Sequence, residues 1–175
     1  MGLATFIGGI HPYEGKELSE DKPIKYLEPL QGEVMVYPLS QHIGAPAKPL
    51  VAKGDHVLKG QIIAEAGGFI SANVLSSVSG TVKGIESKLV ANGAMVQSIL
   101  VENDGEEEAI EGFGTDRDAS KLSKEEIRQI VKDAGIVGLG GAGFPTHVKL
   151  TPKDENAIDY VIVNGAECEP YLTSD

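Results

Sequence analysis

Valine and isoleucine recur in short, partly alternating runs between turn residues from about 33 to 101: EVMVYPL, HVLKGQIIAEA, GTVKGIE and MVQSILVEN. A period near two predicts half-buried β-strands. Further on the period changes. Ser123 and Glu126 are spaced as a capping box, Ile127, Ile130, Val131 and Ala134 share one helical face, and Gly135 is placed to end the helix. AIDYVIVN, 157–164, is a buried-strand candidate. The first 32 residues have little periodicity. GGIHPYEGKELS is turn chemistry, which predicts an irregular arm packed on the next domain or a disordered tail. His11, isolated beside a proline, reads as an ordinary surface group. Residues 102–120 include acids at 102, 104, 106, 107, 108 and 111, with no basic residue before Arg117. Like charges repel and stay solvated, so this run predicts a linker or exposed loop. It lacks the spaced ligands of an EF-hand, and no metal site is expected.

The β-like region contains an echo. VAKGDHV at 51–57 and VANGAMV at 90–96 share Val, Ala, Gly and Val at a constant spacing of 39. Each copy suggests a strand end, a glycine turn and a strand start. Two related halves predict a small sandwich with a pseudo-twofold axis. That arrangement resembles the biotinyl/lipoyl-carrier type of fold, the barrel-sandwich hybrid, with GDHVLKGQ as first hairpin and SVSGTV as return strand. In a carrier, a lysine at the exposed tip takes the cofactor. Here no lysine lies between Lys59 and Lys83, so the fold is expected without a swinging arm.

Composition narrows the function. A chain of 175 residues allows one large domain or two small ones, and 41% hydrophobic content suffices for a core. No apolar run approaches the roughly 18 to 20 residues that span a bilayer, and no secretory signal opens the chain. Membrane association is therefore expected only through partners. A net charge of −11 argues against nucleic-acid binding, which needs a basic footprint. The single cysteine, Cys168, cannot form an internal disulfide or hold a multi-cysteine zinc or iron–sulfur centre.

The candidate chemistry lies in GLGGAGFPTHVK, 138–149. Gly138, Gly140 and Gly143 fit G-x-G-x-x-G, but a dinucleotide fingerprint needs a strand immediately before the loop. Only Ile136 and Val137 separate the loop from the helix end, which excludes a Rossmann site. A Walker loop is excluded by the absence of Gly-Lys-Ser/Thr. Bare backbone still lets N–H groups approach an anion closely. Pro145 suits a helix start, and a short helix PTHVKL would place Lys149 about one turn on, within reach of a phosphate. A tight structural connection with a surface lysine explains the same residues. VIVNGAECEP then delivers Asn164, Glu167 and Glu169. In extended chain the two glutamates point to one side, where they could meet a cofactor's sugar or its partner substrate.

GLGGAGFPTHVKL followed by VIVNGAECEPYLT resembles the RnfC family, the peripheral subunits of the membrane-bound Rnf electron-transport complex. GGIHPYEGKELS and PLSQHIGAPAKPLVAKGDHVLKGQ match the same family, so the resemblance covers nearly the whole chain. The later half is also similar to the flavin subunit of respiratory complex I, through Gly-Phe-Pro-Thr and Asn-x-x-Glu-x-Glu-Pro. The resemblance implies an α+β chain. An arm at 1–32 precedes a barrel-sandwich hybrid at 33–101, an acidic linker at 102–120 and the beginning of an α/β FMN/NADH-binding domain at 121–175. It implies that Gly138, Gly140, Gly141 and Gly143 wrap FMN, that Lys149 approaches its phosphate or ribityl chain, and that Asn164 bonds that chain. Glu167 and Glu169 would face the flavin edge where NAD(H) stacks. The loop is shorter than in complex I and lacks an arginine between its glycines, and Leu75 stands where many relatives carry histidine. The implied activity is electron transfer between NADH and iron–sulfur clusters through FMN, in an ion-translocating NAD–ferredoxin oxidoreductase. Partners would be the other Rnf subunits and, through the complex, ferredoxin, at the inner face of the cell membrane. The four-iron four-sulfur clusters would belong to sequence beyond this chain, which reads as an N-terminal fragment inactive alone. The alternatives are a cobalamin-reductase flavin subunit, with very similar motifs, and a non-catalytic assembly module.

Overall fold

Val57, Ile63, Val78, Val82, Ile99 and Val101 have almost no solvent exposure, and all come from the alternating β-like region. A computed structural model describes residue 13, residues 15–139 and residues 141–165. Among these, seven strands form two antiparallel sheets. The strands are β1 (Val34–Pro38), β2 (Lys48–Pro49), β3 (His56–Val57), β4 (Ile62–Glu65), β5 (Val74–Leu75), β6 (Gly80–Leu89) and β7 (Met95–Asn103). One sheet has the order β1-β7-β6-β3 and the other β2-β4-β5. Their inner faces share one aliphatic cluster, with Tyr37, Leu39 and Val74 joining the residues above. Alternation does what the sequence pattern requires. In β6, Gly80 and Val82 are buried while Thr81 and Lys83 are exposed. Val82 pairs with Val101 and Ile85 with Ile99 across the β6–β7 ladder. Both glycines of the echo, Gly54 and Gly93, sit at positive φ (96° and 82°), each shortly before a strand start.

The buried polar groups are partnered, as low-dielectric burial demands. Asn103 donates from Nδ2 to the carbonyls of Pro29 and Leu30 (3.1 Å each) and accepts from the Gly105 N–H (3.1 Å). This ties the end of the N-terminal arm to the end of β7. The described part of the arm is otherwise irregular apart from one 3-10 turn at Lys16–Leu18, and Ile24, Tyr26 and Leu27 are almost fully exposed.

The acidic run begins inside the sheet. β7 continues to Asn103, and Glu102 pairs with Lys83 at 3.0 Å. Beyond it the chain straps back over the β3–β4 connection. Lys59 N–H donates to Glu108 (2.9 Å), and Ile110 N–H donates to Lys59 (3.0 Å). The Lys59 ammonium pairs with Glu107 and lies 5.9 Å from the Phe113 ring centre. Phe113 in turn covers Gly60, where a Cβ would lie 2.5 Å from the ring.

The first α-helix, α1 (Lys124–Asp133), starts at Ser123 with both bonds of the expected capping box. Gly135 ends it at φ 64°. The one-turn α2 (Thr146–Lys149) follows, then a 3-10 turn at Glu155–Ala157. Glu155 receives Lys124 and Arg128 (2.5 Å to the latter), and these two cations hold its carboxyl below the usual range. Residues Glu28–Ala157 form one compact unit, and the segments up to Leu27 and from Ile158 form a second.

The strand expected at 157–164 is not formed. Residues 158–165 have no regular structure, and Tyr160, Val161, Ile162 and Val163 are 86–89% exposed. An apolar run becomes a buried strand only beside a ladder partner, and no described strand pairs with it.

Asp104 anchors the strap. Ser79 Oγ donates to it at 2.6 Å, the Glu106 N–H at 2.9 Å, and His56 Nε2 stands 2.9 Å away. In that order of importance these contacts hold its carboxyl down at about 2. A carboxylate whose folded pKa is depressed adds stability above its unfolded value of about 3.9, and loses it as pH falls through the folded value. Urea unfolding is therefore expected to lose on the order of 2 kcal/mol between about pH 4 and pH 2 through this group. Asp104→Asn should remove that component of the slope, and an unchanged slope would contradict the anchor.

Candidate functional site

The glycine segment is the loop of a small hairpin that starts at Ile136, three residues after the end of α1. Val137 pairs antiparallel with Pro145. The flanking bonds run from Gly138 N–H to Phe144 O and from Thr146 N–H to Ile136 O, both 2.9 Å. A proline fits here because this pairing asks for no N–H at 145. Pro145 is fully buried.

Two seats fix this hairpin on the β-region. At the first, a Cβ on Gly135 would lie 2.4 Å from Asn73 O, so only glycine allows this approach at its positive φ. Asn73 adds weak capping there, its Nδ2 standing 3.4 and 3.5 Å from the Lys132 and Asp133 carbonyls. The tip that would carry a prosthetic group in a carrier thus receives the end of α1. At the second seat, Gly143 is buried at φ 66°, and its missing Cβ would lie 3.0 Å from Gln41 O and 3.1 Å from His42 Cα. Ile43 N–H donates to Ala142 O beside it at 3.2 Å. His42 links the two seats. Its Nε2 accepts from the Ala72 N–H (3.1 Å), which leaves the proton on Nδ1 to donate to Ile43 O (3.2 Å).

Between the hairpin loop, residues 38–43 and the β6–β7 turn lies an open cleft of about 790 Å³. Its lining includes Ser40–Ile43, Val90–Asn92, Val137–Leu139 and Gly141–Gly143. In a chain of net charge −11, no described lining residue is acidic. A Cβ on Gly141 would meet nothing within 4 Å. The N–H groups of Leu139 and Gly141 donate to no acceptor among the described residues. Lys149 folds back so that its Nζ would stand 2.9 Å from a Cβ on Gly138. No described carboxylate pairs with it. His147, on the same turn, is pushed toward its neutral form by burial and then by the Lys132 charge, which leaves Lys149 as the cation at the loop.

The arrangement suits an anion with a polar chain attached, and it divides the predicted residues. Gly138 and Gly141 line the cleft, and the Lys149 Nζ lies beside Gly138. Gly143 also lines the cleft, but its bareness is used by the seat on Gln41 and His42. Asn164 is described in a stretch without regular structure. Gly140, Glu167 and Glu169 lie outside the described residues. Sequence reasoning missed Ser40, Gln41, His42 and Val90–Asn92 as lining. They stand about 50 to 100 positions before the loop, in turns whose composition signals nothing beyond a turn.

The fold and the loop define a two-part chain, a barrel-sandwich hybrid followed by the beginning of a flavin-binding domain. A family model for the RnfC barrel sandwich hybrid domain matches residues 4–106, and one for the Nuo51 FMN-binding domain matches residues 131–175. The chain belongs to the RnfC family. It is 47% identical over 173 residues to the RnfC-type component of the proton-translocating ferredoxin:NAD(+) oxidoreductase complex of Clostridium ljungdahlii, covering 99% of this chain and 37% of that protein. It is 45% identical over 174 residues to the Na(+)-translocating counterpart of Acetobacterium woodii, covering 98% and 38%. The corresponding component of the ion-translocating oxidoreductase complex of Pseudomonas aeruginosa is 42% identical over 175 residues, covering 99% and 22%. The chain thus spans well under half the length of these relatives.

Two glycines of the loop should behave oppositely in thermal unfolding. Gly143→Val should cost more than about 2 kcal/mol, because it strains a positive φ and pushes on backbone. Gly141→Ala should stay within about 0.5 kcal/mol. The reverse ranking would contradict the seat.

Proposed function

We propose that this chain is the N-terminal part of an FMN-carrying subunit through which an ion-translocating ferredoxin:NAD oxidoreductase passes electrons between NADH and iron–sulfur clusters. Membership of the RnfC family and the match of residues 131–175 to an FMN-binding domain support this. The observation that carries it is the juxtaposition of Lys149, which no described carboxylate pairs, with bare Gly138, in the loop that leaves Gly141 open. That juxtaposition fits a phosphate monoester: one ammonium lies beside bare backbone whose Leu139 and Gly141 N–H groups donate to no acceptor among the described residues. Bound FMN supplies the exchange between a two-electron hydride donor and one-electron carriers.

The chain's own residues then bind and orient. Backbone at Gly138, Gly140 and Gly141, with Lys149, holds the phosphate end. Gly143 keeps the loop seated. Asn164 bonds the ribityl chain, and Glu167 and Glu169 fix the position of the nicotinamide. The clusters and ferredoxin are reached through sequence and subunits outside this chain. No helix among the described residues is long and apolar enough to cross a membrane, so attachment through the other Rnf subunits completes the proposal.

In the full-length subunit, Gly141→Val should weaken FMN binding at least about tenfold while the melting temperature holds. Lys149→Gln should cost about 1.5–3 kcal/mol of binding, the range for a charged hydrogen bond. Fluorescence titration measures both, and unchanged affinities would contradict the site. Glu169→Gln should leave FMN affinity intact and slow flavin reduction by NADH in stopped flow. Equal loss of both would assign it to flavin binding instead.

A further inference from the structure

The β6–β7 hairpin outruns its own sheet. β1 pairs with β7 only over Ser98–Glu102, and β3 pairs with β6 only at Gly80 and Thr81. Beyond the bonds from Leu39 N–H to Gln97 O (2.9 Å), Gly54 N–H to Val82 O (2.8 Å) and Val82 N–H to Asp55 O (2.8 Å), the hairpin has no neighbour in its sheet. Its turn is closed by its own bonds. Val90 N–H donates to Ala94 O (2.9 Å), Gly93 N–H to Val90 O (2.8 Å), and Ala94 N–H to Asn92 Oδ1 (3.0 Å). Such a turn holds its shape without support from the core. It ends as one wall of the cleft whose opposite wall is the glycine loop. Nothing in the packing of the β-region calls for this reach, because Ala91 and Asn92 are exposed and add nothing to the hydrophobic cluster.

The wall has a definite chemistry. Ala91 presents a small apolar surface. The Asn92 Oδ1 is used by the turn, whereas its Nδ2 donates to no described acceptor. Small-molecule sites typically hold about 300–1,000 Å³, and at about 790 Å³ this cleft falls within that range. With no described acid on its lining, it tolerates an anionic ligand on either side.

We infer that the β6–β7 turn is the second wall of the mononucleotide site. Ala91 packs against the FMN held by the glycine loop, and Asn92 donates from Nδ2 to its phosphate–ribityl end. This rests on the FMN reading above. It adds that the barrel-sandwich hybrid supplies part of the cofactor site as well as a scaffold.

The test uses the full-length subunit and FMN itself. By flavin-fluorescence quenching, Ala91→Trp, which fills the cleft from the far side, should weaken FMN binding at least about tenfold. Asn92→Asp replaces a donor by a negative charge near the phosphate and should weaken it severalfold, more at low salt than at high salt. Both changes lie on an exposed turn, and thermal unfolding should be unaltered. In the unmodified subunit, hydrogen exchange of residues 90–94 should slow when FMN is added. Unchanged affinity in both variants, or unchanged exchange on FMN addition, overturns the second wall and leaves the FMN reading standing. Failure of the unmodified subunit to bind FMN overturns the FMN reading and this inference with it.

Discussion

Backbone lies directly on backbone at Gly135 and Gly143, and the position of the glycine hairpin on the β-region depends on those two contacts. At Gly135 the approach is closer than a Cβ allows, at Gly143 it is tighter than most Cβ contacts, and at both the φ is one that other residues adopt only under strain. Neither is strong by itself. Together with the Ile43–Ala142 bond and the relay through His42, they place the glycine hairpin against a sheet whose core needs none of these residues. The cleft follows from the seats. With the loop pinned at Gly143 and at the Val137–Pro145 pair, Gly141 is left facing space, and Gly138 is left with the Lys149 ammonium beside it.

This gives the barrel-sandwich hybrid a use different from that of a carrier. A carrier keeps its tip free so that a modified lysine can travel between sites. Here the corresponding tip has no lysine and is occupied by the end of α1, with Asn73 Oδ1 also accepting from the Ala66 N–H at 2.9 Å to hold the loop's shape. A docked tip cannot swing, so this fold serves as a fixed support. Under the proposed function, electron transfer between bound centres needs fixed distances, which such a support would supply.

Local rules exposed much of this in the sequence, and long-range pairing hid the rest. The β-region was legible because Val and Ile alternate over a core that both sheets share, and α1 was legible because Ser123 and Glu126 report a helix start within four residues. The glycine loop announced bare backbone, but a single sequence does not distinguish a glycine that faces a ligand from one that seats on another segment. Gly141 and Gly143 differ in φ and in what lies opposite, and for Gly143 that is Gln41, about 100 positions earlier. Run 157–164 misled for a related reason: its hydrophobicity announces a strand, and a strand forms only beside a partner. The acidic run also misled in part, since its charge suggested a solvated loop while Glu102 and Asp104 are fixed to the sheet by Lys83 and Ser79.

The central claim is that the glycine hairpin belongs to the folded β unit before any cofactor binds. Native-state hydrogen exchange on the cofactor-free full-length subunit tests it most directly, read at the amides of Ile43, Gly138 and Thr146, each bonded across or onto the hairpin. Opening free energies within about 1 kcal/mol of those for buried amides of β7 are expected, because the seats tie both regions to one cooperative unit. Exchange of those three amides at rates close to an unstructured chain, with β7 still protected, would contradict the account.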